Sequence, residues 1–175
     1  MENKKTLPII YVIGMPIILI IANFMANLHI TTLGGSAIYF SVLLYPLTIL
    51  ISGLIVRKTD YKNALRMMSV ALITASLAGV IEWALLSSMR PWVLIYSFLS
   101  FLLCQLIFIF TYDFLIKIKK DTFMRVFLLI AVVSIIDHAF FGAIIEGKYI
   151  SLSILIRAIY MAVFPAILAR NTGKK

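Results

Sequence analysis

Residues 127–145 read FLLIAVVSIIDHAFFGAII, an apolar run interrupted only by Ser134, Asp137 and His138. Its length is close to the ~20 residues with which a helix crosses the hydrocarbon core of a bilayer. A carboxylate near the middle of such a span costs about 2.5 to 3.5 kcal/mol on translocon-insertion scales, so it persists where it is paired or faces a wet cavity. Asp137, with the His138 imidazole beside it, is therefore the first functional candidate. The same reasoning picks out Glu82, Gln105, Arg157 and the pair Asn23 and Asn27, all polar residues within apolar runs.

Composition sets the class. Hydrophobic residues make up 63% of the 175, charged residues only 13%, and the mean hydropathy is +1.08. That is more apolar surface than a soluble core of this size buries, so the chain is expected to be an all-α integral membrane protein with lipid as a partner. The net charge of +9 does not argue for nucleic acid, because the basic residues fall in short clusters between apolar runs, where they set membrane orientation. A single cysteine, Cys104, excludes an intramolecular disulfide, and the Cys and His spacing suggests no metal site. The apolar run after the basic start reaches Leu28 without a clear small-residue cleavage site, so it is expected to be a retained first span.

Six spans can be drawn, at about 7–28, 37–56, 65–88, 92–116, 123–145 and 150–169, giving a single transmembrane domain over 1–175. The runs are continuous, not alternating, which favours a six-helix bundle over a barrel. Thirteen of the sixteen Lys and Arg lie on one side of this drawing: Lys4, Lys5, Arg57, Lys58, Lys62, Arg66, Lys117, Lys119, Lys120, Arg125, Arg170, Lys174 and Lys175. Cytoplasmic loops retain positive charge, so both termini are expected inside. The connections are short, which leaves function to the bundle interior or its rim.

Asn23 and Asn27, at i and i+4, share one helical face, where they either hydrogen-bond between helices or contact a ligand. The uncharged stretch from His29 to Gly35 reads as a tight outer turn or a slightly re-entrant segment around Gly34-Gly35. Pro46 stands within the second span and should kink or break it; broken helices line cavities in transporters, simple kinks being the commoner outcome. Trp83 and Trp92 fit an aromatic belt, and Asp113 reads as an interfacial acid near the basic cluster. Glu82 and Arg157 lie about two turns from the outer ends of their spans, and Asp137 between two and three, at 5.4 Å per turn. Three isolated charges there would cost on the order of 8 to 10 kcal/mol, whereas an arginine between two acids offsets much of this, so the three are expected to meet.

Two segments carry a resemblance. The stretch from Tyr45 to Ala64, YPLTILISGLIVRKTDYKNA, is similar to a PLTFL segment leading into an acidic helix end and a GYKRA turn. The stretch from Ser100 to Gln105, SFLLCQ, followed by Asp137, is similar to paired SQxxD elements on two consecutive spans. On these motifs the chain resembles the vitamin-uptake-like (VUT) family of bacterial queuosine-precursor transporters. It departs from the family pattern at four places. Gly53 and Arg57 stand where the first segment has acids, Phe108 replaces the acid of the first paired element, and Ser134 replaces the glutamine of the second.

The resemblance implies a transporter of the bacterial cytoplasmic (inner) membrane that takes up a 7-deazaguanine-type queuosine precursor. The residues expected to bind it are Asp137, Gln105, Glu82, Arg157, Asn23, Asn27 and His138. The chemistry agrees: a deazaguanine offers adjacent N–H donors that one carboxylate accepts, an amide serves a carbonyl or ring edge, and Trp83, Phe140 or Phe141 can stack on the ring. The alternative is the substrate-binding S-component of an energy-coupling-factor vitamin transporter, which needs separate energising subunits. A structural or assembly protein, self-associating through its polar residues, is a third reading. The chain has no HExxH and no nucleophile elbow, so neither catalysis nor a cofactor or metal is expected.

Overall fold

A computed structural model describes residues 9–24, 29–33, 36–39, 41–86, 91–141, 163–164 and 167–168. These residues form five helices and one hairpin: α1 (Ile9–Phe24), β1 (His29–Leu33), β2 (Ser36–Tyr39), α2 (Ser41–Lys58), α3 (Tyr61–Leu86), α4 (Pro91–Lys117) and α5 (Phe123–Phe141). Within the described part, α2 touches α1, α3 and α4, α3 also touches α1 and α4, and α5 packs on α4. Phe164 and Leu168 are helical and buried in the same core. The rest of the expected sixth span lies outside the described residues.

Two helical stretches, Tyr61–Ala84 and Phe98–Lys117, are long and apolar enough to cross a membrane. The pattern of burial sharpens the point. On α3 the stripe Ala64, Met68, Ala71 and Ala75 is buried, while Ile73, Leu77 and Val80 on the other side are 59%, 60% and 57% exposed. Small side chains on the inner stripe let neighbouring helices approach closely. On α5, Val126, Ile130 and Val133 are buried while Leu128, Val132 and Ile135 face out. A helix that is apolar all round has its outer face covered by a larger core or by lipid.

The hairpin corrects the expected start of the second span. Leu33 pairs with Ser36, Thr32 with Ala37, Thr31 with Ile38 and His29 with Tyr39, with an irregularity between His29 and Thr31 that leaves Ile30 as an extra residue. β-Branched residues and a two-residue Gly-Gly connection favour this arrangement over a loop or an early helix. Helix α2 consequently begins at Ser41, not at Ala37. Pro46 therefore sits in the second turn instead of mid-span, and the helix runs through it to Lys58. As the sixth residue of the helix, Pro46 forgoes the one hydrogen bond that an N–H there would make to the Val42 carbonyl, and the rest of the helix continues past it.

The turns at the charged end are closed by specific side chains. Asp60 caps α3 by accepting a hydrogen bond from the Asn63 amide at 2.7 Å. Helix α4 ends in a Schellman arrangement, with Lys120 N–H donating to the Leu115 carbonyl (2.8 Å), Lys119 N–H donating to Ile116 (3.0 Å), and Lys119 left-handed at φ 53°. That turn carries the chain to Asp121. Lys117 lies 5.0 Å from the centre of the Tyr61 ring, so the α2–α3 and α4–α5 turns share one end of the molecule. Single cysteines placed at Lys62 and Lys119, in a Cys104→Ser background, should thus react with an impermeant thiol reagent from the same side of a vesicle. Reaction from opposite sides contradicts this arrangement.

Candidate functional site

Helices α2, α4 and α5 each bring polar side chains to one internal seam. On α2, Thr48 and Ser52 are one helical turn apart and fully buried. On α4, Ser100, Cys104 and Gln105 are buried, and on α5 Ser134 is buried one turn before half-buried Asp137. The Gln105 side chain, 1% exposed, bridges two helices: its Oε1 accepts from Ser52 Oγ at 2.7 Å, and its Nε2 donates to Thr48 Oγ1 at 2.9 Å. Ser100 Oγ donates to Asp137 Oδ1 at 2.7 Å, joining α4 to α5, and Cys104 Sγ donates to the Val133 carbonyl at 3.5 Å. An unsatisfied amide in so apolar a setting costs several kcal/mol, which explains why Gln105 is matched by hydroxyls on the facing helix.

Between these groups lies a cavity lined by Pro46, Thr48, Ile49, Phe101, Cys104, Gln105, Ser134 and Asp137. Its volume of about 20 Å³ is room for about one water. It offers a carboxylate with one oxygen engaged by Ser100, an amide held by two hydroxyls, and the apolar faces of Phe101 and Ile49. This can hold the polar edge of a small ligand once the three helices separate.

Of the residues singled out in the sequence, Gln105 and Asp137 meet at this cavity, and Pro46 forms part of its wall. Glu82, 3% exposed on α3, does not line it. Asn23 belongs to the last turn of α1 and His138 follows Asp137 on α5, but their side chains are not among those described; Asn27 and Arg157 lie outside the described residues. The expected meeting of Glu82 and Asp137 with Arg157 falls there too. Sequence reasoning did not single out Thr48, Ser52, Ser100 or Cys104 as site residues. The available signal was the i, i+4 spacing of Thr48 and Ser52, two hydroxyls on one face of an apolar helix.

Below the cavity, toward the charged end, stand Gly53, Phe108 and Arg57. A side chain at Gly53 would meet Leu168 Cδ1 at 3.0 Å and Phe108 Cζ at 3.3 Å, so the missing Cβ is what lets these two side chains close over α2. Phe108 is fully buried and stacks on Tyr112, with ring centroids 5.5 Å apart. One turn beyond Gly53, the Arg57 guanidinium donates to Tyr112 Oη (2.9 Å), to the Leu168 carbonyl (2.6 Å) and to Asp121 Oδ2 (2.9 Å). Asp113, near the same end, pairs with Lys117 at 2.6 Å, consistent with an interfacial acid.

Comparison of the chain with protein-family models, with curated proteins and with solved structures finds no match.

The Gln105 bridge yields a direct test. Gln105→Leu should destabilise the folded protein by about 1–3 kcal/mol, because it removes both side-chain bonds between α2 and α4, while Ser52→Ala alone should cost less. A double-mutant cycle on the two, read by reversible unfolding in detergent micelles, should show coupling between them. Strict additivity would mean that the hydrogen bond is not made.

Proposed function

We propose that this chain is a multi-pass transporter of the bacterial cytoplasmic membrane, with six spans and both termini inside, and a divergent relative of the VUT family. Its substrate on this reading is a small, flat, polar heterocycle of the 7-deazaguanine type. The observation that carries the reading is the convergence of Asp137 and Gln105, from two different helices, on one internal cavity within a bundle whose outer faces are apolar.

Recognition follows from the donors and acceptors. Asp137 accepts from the adjacent N–H donors of the ring, and the Gln105 amide donates to its carbonyl. Phe101 supplies an apolar face for the ring plane. A cavity of about 20 Å³ is too small for a ring, so on this reading entry requires α2 and α5 to move away from α4. Alternate opening of the two ends then moves the ligand across, as in carriers whose sites lie near the bilayer midplane. Separation of the helices breaks the Ser52–Gln105–Thr48 bridge, and the ligand's own hydrogen bonds replace it.

The test is uptake of radiolabelled 7-deazaguanine precursors by bacteria that can neither make nor import them. Expression of the chain should restore accumulation, and Asp137→Asn should reduce it at least tenfold at unchanged protein level. No accumulation with well-expressed wild-type protein contradicts the reading. Accumulation that depends on co-expressed ATPase subunits would instead identify an S-component.

A further inference from the structure

The Arg57 network does work that neither folding of α2 nor ligand recognition requires. Arg57 lies nine residues beyond Thr48, hence roughly 13 Å below the cavity wall along α2. Its guanidinium gathers three separate parts of the chain around α2: Tyr112 on α4, Asp121 in the α4–α5 turn, and the backbone at Leu168. The ion pair with Asp121 is shielded, with side-chain exposures of 14% and 18%. Directly above it, buried Phe108 and Leu168 converge on Gly53, the residue next to Ser52 and its bond to Gln105.

We infer that Arg57, Asp121 and Tyr112, with the Phe108–Leu168 plug seated on Gly53, form a latch that holds the charged end of the bundle shut beneath the cavity. The two layers divide the task. The plug excludes water from the cavity by packing, and its own apolar side chains make no hydrogen bonds. The guanidinium supplies the hold, since its planar fork can satisfy a carboxylate, a phenol and a carbonyl together, which a lysine ammonium cannot do with the same geometry. The latch is reversible: its three bonds, two to side chains and one to the Leu168 carbonyl, all run from one partly exposed guanidinium, where water can replace them when the end opens. Glycine at position 53 is part of the device, because any Cβ there would push the plug away from α2.

The latch concerns how the proposed transport site is gated and rests on that reading for its purpose, but its test needs no substrate. Cys104 is the chain's single cysteine and lines the cavity above the plug, so its conversion to a mixed disulfide reports access from each end. The probe is a small membrane-impermeant methanethiosulfonate, added to the full-length protein in right-side-out and inverted vesicles. Asp121→Asn and Arg57→Gln should each speed modification of Cys104 about tenfold from the charged side, equivalent to about 1.4 kcal/mol of lost closure, and leave the rate from the other side unchanged. Arg57→Lys should fall between wild type and Arg57→Gln. Lys117→Gln, which breaks the neighbouring Asp113 pair outside the network, should behave as wild type. Should Arg57→Gln fail to fold, Asp121→Asn retains the arginine and carries the comparison alone. Unchanged rates overturn the inference, as does acceleration from both sides or an equal effect of Lys117→Gln, either of which would show general loosening.

Discussion

A buried amide in an apolar bundle has to find its partners inside the protein, and the arrangement of α2, α4 and α5 follows from that constraint on Gln105. At 1% exposure, the side chain is answered by Ser52 and Thr48, one turn apart on the facing helix. That pairing sets the register of α2 against α4. Once the register is set, the Phe108 ring falls opposite Gly53, while the separate Ser100–Asp137 bond ties α5 to α4. The Gln105 bridge and the plug are thus two consequences of one alignment.

Energetically the seam is a compromise. Interhelical hydrogen bonds of this kind contribute only about 0.6 kcal/mol on average, because polar groups find alternative partners when helices separate in a membrane. Apolar packing would hold the three helices together at least as well. What the polar seam adds is an interface that can open and rebind something else without leaving stranded groups. The charged end follows a similar logic, with Arg57 able to exchange its partners for water at the rim. Closure by bonds that water or a ligand can replace suits a site that must be reached from more than one direction.

The helical class was legible in the sequence because it depends on run length and composition, which survive any detail of packing. The polar candidates Asp137 and Gln105 were legible for a related reason: the cost of a polar group in an apolar span is large enough to single it out without knowing its neighbours. Serine and threonine carry no such penalty, since their hydroxyls can bond back to the helix, so Thr48, Ser52 and Ser100 did not stand out. The start of α2 was misplaced because hydropathy does not distinguish a β-branched hairpin from the beginning of a span. Arg57 read as one member of a basic cluster, and only its contacts with Asp121, Tyr112 and Leu168 set it apart. In the sequence Gly53, Arg57 and Phe108 are three scattered positions, whereas in space they form one packed and hydrogen-bonded group.

The central claim is that the cavity between α2, α4 and α5 is a ligand site. Equilibrium binding of radiolabelled 7-deazaguanine to the purified protein in nanodiscs, with Cys104 alkylation followed in the same samples, tests it most directly. The account expects saturable binding that slows Cys104 modification in proportion to occupancy, with both effects lost in Asp137→Asn. Saturable binding that leaves Cys104 reactivity untouched, or that persists in Asp137→Asn, would place the ligand elsewhere and contradict the claim.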